Sequence, residues 1–453
     1  MSKSNILLIV IDSLRSDKCF GKQKTSITPT IDSLIQNGVF FTQAISSAAS
    51  TILAVSSLLT GTYPFRIGLG GSSYSKFDPN IPNLVKILNK NGYSTYATAP
   101  EIADDFGLVC DFQNPDTSYE NYYSLFAGLG DEILNKFKHN ELNSPWFFYI
   151  HLFDLHTPVV VPSNFNDEKF GSSQYERMVS AIDDWLSHLI ENIDQKNTII
   201  ILTSDHGEYI PVLETKHGII NLESSETEQA LWKLGNKIPQ NLLPIKRKMG
   251  SLLRTSRNKL KSSRITFDSL STYEKRILLD SRMSAGHRMY DDLLKIPLLF
   301  SGNNIRKNHI VSEIVRQIDI FPTILDILSL PPPDSIDGTS LVPLWNDKKI
   351  KDLIAHIESP PSTTNESTKY IGLRNKKHKY IRDLKNSPSS FELYDIELDP
   401  LEENNLALIQ PEKINELELT LNSVRNKKIL PEMKFDKKER EKVDNILRKL
   451  GYT

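Results

Sequence analysis

Asn5-Ile-Leu-Leu-Ile-Val-Ile-Asp12 is a continuous apolar run that leads directly into a carboxylate. The run is too short to span a bilayer, and such runs are typical of parallel strands that are buried on both faces. In open parallel sheets, functional side chains collect beyond the carboxyl ends of the strands, which is where Asp12 stands. The run therefore predicts an α/β fold with chemistry at one edge of its sheet.

Further apolar runs alternate with helical patterns along the chain. The predicted strands are Ile6–Ile11, Ser94–Thr98, Trp146–His151, Thr198–Thr203 and Ile296–Ser301. The predicted helices are Pro29–Asn37, Ile52–Leu59, Pro82–Lys90, Gln174–Ile193 and Ile320–Leu328. This alternation predicts a mixed, mostly parallel sheet between layers of helices.

The C-terminal part has a different pattern. Short strands are predicted at Tyr370–Leu373, Lys379–Arg382 and Phe391–Tyr394, and charged helices near Pro411–Arg425 and Lys437–Leu450. We predict a catalytic domain of residues 1–345 and a C-terminal subdomain of residues 346–453 with a small antiparallel sheet and terminal helices.

Overall composition selects no partner, because 54 basic residues face 56 acidic ones for a formal charge of −2. The cysteines, Cys19 and Cys110, are too few for a disulfide framework. No segment reaches transmembrane length, and no signal-peptide pattern opens the chain. We therefore expect a cytoplasmic protein, and the sequence does not indicate its oligomeric state.

A basic insertion is predicted at about residues 221–284. Between Gln229 and Phe267 there are ten Lys or Arg residues and no Asp or Glu. If Ile245–Arg264 is helical, it forms a basic amphipathic helix. Two interpretations stay open: a solvated excursion, or a surface for an anionic lipid, nucleotide or polyanionic glycan with peripheral contact at the inner membrane.

Three segments of the sequence carry candidate chemistry. Asp12 and the pair Asp205-His206 follow predicted strands, and Thr51 opens a predicted helix. Carboxylates and imidazole are suitable ligands for a divalent cation. A helix N-terminus attracts an oxyanion, and a bound metal can turn an inert hydroxyl into a nucleophile. These residues predict an enzyme.

A set of motifs in a fixed order resembles the sulfatase branch of the alkaline phosphatase superfamily over almost the whole chain. The matching pieces are Asn5-Ile-Leu-Leu-Ile-Val-Ile-Asp12, Thr28-Pro-Thr-Ile-Asp-Ser-Leu34, Leu58-Leu-Thr-Gly-Thr-Tyr-Pro64, His151-Leu-Phe-Asp-Leu-His-Thr-Pro158, Thr203-Ser-Asp-His-Gly-Glu208, Gly286-His-Arg-Met-Tyr-Asp-Asp-Leu-Leu-Lys-Ile-Pro297, Asp337-Gly-Thr-Ser-Leu341 and Glu392-Leu-Tyr-Asp-Ile-Glu-Leu-Asp-Pro400. Each piece alone is weak, but together they are specific. The resemblance implies an alkaline-phosphatase-like fold.

The resemblance also implies a site. One metal would be held by Asp12, Asp205 and His206, together with Thr51 in the nucleophile position. It further implies that three histidines surround the leaving group and the anionic substrate: His156, His217 and His287. We assign leaving-group protonation and catalysis to His156 and His287, and substrate binding to all three. His151 is interpreted as a residue that orients its neighbours.

Two departures from the family pattern bear on the chemistry. Sulfatases of this branch have Cys or Ser followed by x-Pro-x-Arg and convert it to formylglycine, whereas Thr51 is followed by Ile52–Val55. Ser13 also replaces the second acid after the first Asp. The pattern resembles single-metal members with a Thr nucleophile. Mn²⁺ or Zn²⁺ would suit the donors best, with Ca²⁺ or Mg²⁺ left open.

Three functions remain open from the sequence. The first is a metal-dependent hydrolase or transferase that acts on a phosphodiester or phosphoester, such as a lipid- or nucleotide-linked precursor, through a phospho-Thr51 intermediate. The second is a sulfuric ester hydrolase that works without formylglycine. The third is an inactive member that binds a polyanion or lipid head group. We expect the first, because water cleaves a phospho-threonine more readily than a sulfated one.

Overall fold

The computed structural model describes residues 3–71, 73–122, 124–139, 141–215, 218–223, 270–279, 288–361 and 368–449. Most of the predicted basic insertion lies outside these ranges, including its amphipathic segment. His217 and His287 lie outside them as well. The predictions made for these residues therefore remain predictions.

The strands and helices follow one another in an alternating order. The strands are β1 (Asn5–Ile11), β2 (Gly38–Ile45), β3 (Ser94–Thr98), β4 (Asn114–Asp116), β5 (Trp146–Leu152), β6 (Thr198–Thr203), β7 (Val212–Thr215), β8 (Gly218–Asn221), β9 (Lys295–Gly302), β10 (His309–Arg316), β11 (Ala355–Glu358), β12 (Tyr370–Arg374), β13 (His378–Asp383) and β14 (Glu392–Asp395). The α-helices are α1 (Pro29–Gln36), α2 (Thr51–Thr60), α3 (Leu84–Lys90), α4 (Glu101–Asp105), α5 (Tyr119–Tyr122), α6 (Leu129–Lys138), α7 (Gln174–Glu191), α8 (Thr272–Leu279), α9 (Asp291–Leu294), α10 (Ile320–Ile327), α11 (Val342–Trp345), α12 (Pro411–Arg425) and α13 (Lys437–Lys449).

The main sheet has eight strands in the order β10-β2-β9-β6-β1-β5-β3-β4. Strand β9 runs antiparallel to both of its neighbours, and the other pairs are parallel. This confirms the predicted mixed, mostly parallel sheet. Strand β1 lies in its interior between β5 and β6, as its unbroken apolar sequence requires.

Side chains of β1 alternate between two apolar cores, one on each face of the sheet. Ile6, Leu8 and Val10 belong to the core on one face, which α2 and α3 cover. The odd-numbered residues Leu7–Ile11 belong to the core on the other face, which α1, α6 and α7 cover. Burial on both faces keeps β1 and the loop that follows it in a fixed position.

The smaller sheet is antiparallel, with the order β11-β12-β13-β14. Its core packs against α12 through Ile414, Leu417 and Leu421. The smaller sheet with its covering helix confirms the predicted C-terminal antiparallel unit, and β11 is a strand that the sequence pattern did not indicate.

Two further differences from the sequence predictions concern a missing strand and the start of a helix. Strand β2 was not predicted because it follows α1 after a single residue, without a loop. Gly38 makes this junction feasible, since a Cβ there would lie 2.2 Å from the Phe300 carbonyl oxygen. The predicted start of a helix at Pro82 is wrong: α3 begins at Leu84, and the Asn83 side chain caps it by accepting a hydrogen bond from the Lys86 N–H at 3.1 Å.

Candidate active site

The register of three neighbouring strands brings the candidate residues to one edge of the main sheet. Val10 of β1 lies beside His151 of β5 and beside Thr203 of β6. Asp12 follows β1 by one residue, and Asp205 follows β6 by two. Because the strands are parallel, their carboxyl ends meet, and the side chains converge there.

The loop after β1 turns sharply at Ser13, which has a φ of 64°. This left-handed conformation is uncommon for a residue other than glycine. It directs the Ser13 N–H to Asp205 Oδ1 at 3.0 Å, and the Ser13 hydroxyl donates to Asp12 Oδ1 at 2.5 Å. Ser13 is therefore hydrogen-bonded to both carboxylates, that of Asp12 after β1 and that of Asp205 after β6.

The backbone of Asp205 is also held in place. Its carbonyl accepts hydrogen bonds from the Ser46 hydroxyl at 2.6 Å and from Gln317 Nε2 at 3.0 Å. Its Oδ1 accepts from the His206 N–H at 2.7 Å. The Asp205 carbonyl and Oδ1 are thus both satisfied, whereas Oδ2 has no hydrogen-bond partner among the described residues.

Thr51 is the first residue of α2, and every residue of this helix is buried. The Thr51 hydroxyl donates to Asp12 Oδ2 at 3.2 Å. Ser50 precedes it in an extended conformation as the N-cap residue. The hydroxyl thus lies beside both a carboxylate and the free N–H groups of a helix terminus, which favour negative charge.

His206 presents a bare ring nitrogen to the same site. Its Nδ1 lies 2.8 Å from the Gly207 carbonyl oxygen, which only accepts, so Nδ1 carries the proton. In the neutral ring, Nε2 therefore carries a lone pair. Nε2 lies 3.6 Å from Asp205 Oδ2.

His151 faces both carboxylates from β5. Its Nε2 lies 4.0 Å from Asp12 Oδ2 and 3.9 Å from Asp205 Oδ2. Its Nδ1 is 2.8 Å from the Tyr149 hydroxyl oxygen. Burial lowers the pKa of His151 to about 4, so the ring is neutral at pH 7.

Asp12, Thr51, His151, Asp205 and His206 together are called the strand-end cluster below. Asp205 Oδ2 and the Nε2 atoms of both histidines are buried and have no hydrogen-bond partner among the described residues. Burial alone would raise the pKa of Asp205, but His206 and His151 hold it below its ordinary value. Ligand atoms of Asp12, His151 and Asp205 all lie within 4.8 Å of one another, so these residues could hold a metal ion.

Thr51 also borders a narrow cavity. The cavity is lined by Ser50, Thr51, Ile52, Tyr74, Ile102, Phe153 and Leu447. His156 lies next to the lining residue Phe153, because the two rings stack with 4.2 Å between their centroids. Its Nδ1 is 3.1 Å from the Thr157 carbonyl oxygen.

The structure brings Asp12, Thr51 and Asp205 together, and it places His206 Nε2 3.6 Å from Asp205 Oδ2. Among the described residues, the group whose ligand atoms all lie within 4.8 Å of one another contains His151 in place of His206. His156 stacks on Phe153, which lines the adjoining cavity. Sequence reasoning assigned His151 only to orienting its neighbours. Its position near the end of a predicted strand was the signal that pointed to the edge of the sheet. The strand register, which places His151 opposite Val10, was not available from the sequence.

The sheet topology, with carboxylates at the strand ends and a hydroxyl at a helix N-terminus, agrees with the alkaline-phosphatase-like fold that the sequence resemblance implies. The sulfatase family model matches residues 4–330, and the model for the C-terminal part of N-sulphoglucosamine sulphohydrolase matches residues 279–428. The chain belongs to the sulfatase family.

Similar proteins extend over nearly the whole chain. Arylsulfatase K of Canis lupus familiaris is 24% identical over 475 residues, which cover 93% of this chain and 82% of the relative. The phosphonate monoester hydrolase of Agrobacterium radiobacter has a similar fold, with a TM-score of 0.66, 17% identity and coverage of 93% and 95%. A 2-O GAG sulfatase has a TM-score of 0.62, 16% identity and coverage of 94% and 93%.

Among the helices of the described ranges, none has the length and apolarity required to cross a bilayer.

Proposed function

We propose that the protein is a metal-dependent hydrolase of sulfuric esters, with Thr51 as its nucleophile and an anionic glycan as its substrate. The observation that carries the proposal is the 3.2 Å hydrogen bond from the Thr51 hydroxyl to Asp12 Oδ2 inside the strand-end cluster. The similarity to a GAG sulfatase supports the substrate class, since GAG chains are sulfated glycans.

The roles of the residues follow from this arrangement. Asp12 accepts the hydrogen bond of the Thr51 hydroxyl, so it orients the oxygen and is placed to hold its proton during attack on sulfur. His156 is the candidate donor of a proton to the leaving alcohol. Water then attacks the sulfur of the sulfo-threonine ester, which releases sulfate and restores the hydroxyl. We expect this to be the slow step, because a sulfated threonine is cleaved less readily than a phosphorylated one. A cation bound by Asp12, Asp205 and His206 would lower the pKa of the hydroxyl and neutralise charge on the ester.

The order of the two ester classes differs from the sequence expectation. The sequence alone favours a phosphoester over a sulfuric ester, whereas the similar proteins named as sulfatases favour the sulfuric ester. A phosphonate or phosphodiester substrate is the second candidate. It is favoured by Thr51 itself, which is followed by Ile52–Val55 and has no formylglycine signal.

A direct comparison of substrates tests the choice. One metal-loaded preparation should be assayed with an aryl sulfate, an aryl phosphonate monoester and a bis-aryl phosphodiester. We expect the aryl sulfate to give the highest kcat/KM. A clear preference for either phosphorus ester would instead select the second candidate.

Variants of Thr51 test the nucleophile. Thr51→Val keeps the shape of the side chain but lacks the hydroxyl, and we expect it to reduce kcat at least about 10³-fold. Thr51→Ser keeps the hydroxyl and should retain measurable activity. Wild-type turnover by Thr51→Val would exclude Thr51 as the nucleophile. A wild-type protein that is inactive and free of metal would favour the third function, a polyanion-binding member.

A further inference from the structure

Ser13 stands where the family pattern has a second acid, and the imidazole of His151 lies beside the two remaining carboxylates, Asp12 and Asp205. The hydroxyl of Ser13 is hydrogen-bonded to Asp12 Oδ1 at 2.5 Å. His151 approaches from the other side, on the neighbouring strand β5. The Nε2 atom of His151 lies within 4.0 Å of the carboxylates of both Asp12 and Asp205.

We propose that Nε2 of His151 is a direct ligand of the cation, so that two carboxylates and two imidazoles surround it. Tyr149 acts as a positioning residue for this ligand. The proposal rests on the proposed function, because it requires a cation at the strand-end cluster. It does not depend on which ester is cleaved.

Distance supports direct coordination. Nε2 of His151 lies 4.0 Å from Asp12 Oδ2 and 3.9 Å from Asp205 Oδ2. These separations are too long for hydrogen bonds. Two metal–ligand bonds of about 2.0–2.2 Å that meet at a tetrahedral angle would separate their ligand atoms by about 3.3–3.6 Å, so a shift of a few tenths of an ångström would let one ion contact both atoms of either pair.

The burial of the imidazole supports the same conclusion. His151 is only 1% exposed, and its Nε2 has no hydrogen-bond partner among the described residues. Buried polar atoms in folded proteins are nearly always satisfied, so an unsatisfied nitrogen directed at two carboxylates requires an explanation. The Nε2 atom of His206 and Oδ2 of Asp205 are unsatisfied in the same place. One cation beside Asp205 Oδ2 would satisfy this oxygen and His151 Nε2 together, and His206 Nε2 lies 3.6 Å from the same oxygen.

Tyr149 supplies the outer contact that a ligating histidine usually has. Its hydroxyl oxygen is 2.8 Å from His151 Nδ1, and both side chains lie on the same face of β5, two residues apart. When Nε2 gives its lone pair to a cation, the proton of the neutral ring is on Nδ1 and is donated to Tyr149. His206 has the equivalent arrangement with the Gly207 carbonyl.

The donor set determines which ions fit. Two imidazole nitrogens and two carboxylate oxygens suit Zn²⁺, Mn²⁺ or Co²⁺, whereas Ca²⁺ and Mg²⁺ prefer oxygen ligands only. The proposal therefore expects tighter binding of Zn²⁺ than of Ca²⁺ by the full-length protein.

Metal binding without substrate tests the proposal. The dissociation constant for Zn²⁺ should be measured by competition with a chromophoric chelator for wild type, His151→Ala, His151→Gln and Tyr149→Phe. We expect His151→Ala to weaken Zn²⁺ binding by about 100-fold or more, and Tyr149→Phe by about 10–100-fold. His139→Ala is the matched control, because His139 is exposed and should leave the affinity unchanged.

The Co²⁺-loaded protein gives a second readout. Loss of a nitrogen ligand should change the visible absorption of bound Co²⁺ in His151→Ala and His151→Gln, while His139→Ala keeps the wild-type spectrum. If His151→Ala does not fold, as judged by circular dichroism, His151→Gln and Tyr149→Phe decide the question.

The failure of this proposal is distinguishable from that of the proposed function. Wild-type affinity and an unchanged Co²⁺ spectrum in the His151 variants would overturn the ligand assignment while leaving a metal-dependent hydrolase intact. A wild-type protein that binds no divalent cation would overturn both proposals.

Discussion

The strand-end cluster and a second buried polar cluster in the same chain differ in how their charges are satisfied. The second, called the ion-pair cluster, consists of Asp291, Arg374, Lys379 and Glu402. Lys379 Nζ lies 2.5 Å from Asp291 Oδ1 and 2.6 Å from Glu402 Oε1, and Arg374 pairs with Asp291 at 3.1 Å. Two acids and two bases balance one another there.

The strand-end cluster is as deeply buried but is balanced differently. The basic side chains that the structure places beside Asp205 are the imidazoles of His151 and His206, whose Nε2 atoms lie 3.9 and 3.6 Å from its Oδ2. In the ion-pair cluster, Asp291 has fully charged partners. Burial would raise the pKa of the Asp291 carboxyl, but Arg374 and Lys379 hold this pKa well below its ordinary range.

The comparison contrasts a cluster that ion pairs complete with a cluster that we propose to be the active site. Ion pairs with lysine and arginine complete the ion-pair cluster, which joins α9 beside the main sheet to β12 and β13 of the smaller one. In the strand-end cluster, Asp205 Oδ2 and the Nε2 atoms of both histidines have neither a hydrogen bond nor a lysine or arginine partner among the described residues, which is costly unless a ligand completes the cluster. Metal binding and catalysis should therefore respond to one cluster, and folding stability to the other.

The largest expected effect is that of Asp205→Asn. The asparagine carbonyl can still accept from the Ser13 and His206 N–H groups, so the loop should keep its shape. Loss of the charge should reduce both Zn²⁺ affinity and kcat/KM by at least about 10³-fold, or about 4 kcal/mol. Isothermal titration and steady-state kinetics measure these quantities.

Asp291→Asn is the matched substitution in the ion-pair cluster. It should destabilise the fold and leave Zn²⁺ affinity at the wild-type value. Equal loss of metal affinity in both variants would mean that the two clusters do not have separate roles.

Lys379→Met should have the next largest effect, on stability. Lys379 is fully buried, so its removal leaves the carboxylates of Asp291 and Glu402 without their shared cation. The free energy of unfolding in urea should fall by about 3–5 kcal/mol. Lys377→Met is the control, since Lys377 is 51% exposed and 3.5 Å from Asp395, and it should cost under about 1 kcal/mol.

Metal removal should lower the free energy of unfolding by an intermediate amount, and this effect should depend on the strand-end cluster alone. A free Zn²⁺ concentration 100 times the dissociation constant should stabilise the chelator-treated wild type by about 2.7 kcal/mol. Lys379→Met should gain the same increment from its lower baseline, and Asp205→Asn should gain none. Thermal melts with and without metal provide the measurement. An increment for Asp205→Asn equal to that of wild type would place the ion elsewhere.

The smallest effect concerns pH and Asp154, which lies on the loop after β5. Burial raises its pKa to about 6, although it accepts hydrogen bonds from Tyr119 and from the Leu125 N–H. The folded state therefore binds more protons than the unfolded state between about pH 4 and 6, so stability falls as pH rises through that window. The contribution should be about 1–3 kcal/mol.

Asp154→Asn should remove this contribution and reduce the slope of the unfolding free energy between about pH 4 and 6. A smaller slope should remain, because burial also raises the pKa of Asp183 to about 6. Asp131→Asn, at an exposed carboxyl, should keep the wild-type profile. A wild-type slope that persists in Asp154→Asn would assign the pH dependence to another group.

Much of the fold was predictable because its strands have strong local patterns. Strand β1 is apolar throughout, and both of its neighbours, β5 and β6, were located within one residue of their ends. The missed strand β2 follows its helix without a turn signal, and the missed edge strand β10 has mixed polarity. Strands are predicted from turn residues at their ends and from regular alternation of apolar residues, and β2 and β10 lack these signals.

The candidate site was predictable in part. The sequence determined by itself that Asp12 and Asp205 follow buried strands and that Thr51 opens a helix, because apolar runs and their ends are local properties. The tertiary structure alone decided that His151 faces both carboxylates, and that Asp291, Arg374, Lys379 and Glu402 form one balanced cluster. Strand register and subdomain packing bring distant residues together, and neither can be obtained from spacing along a single chain.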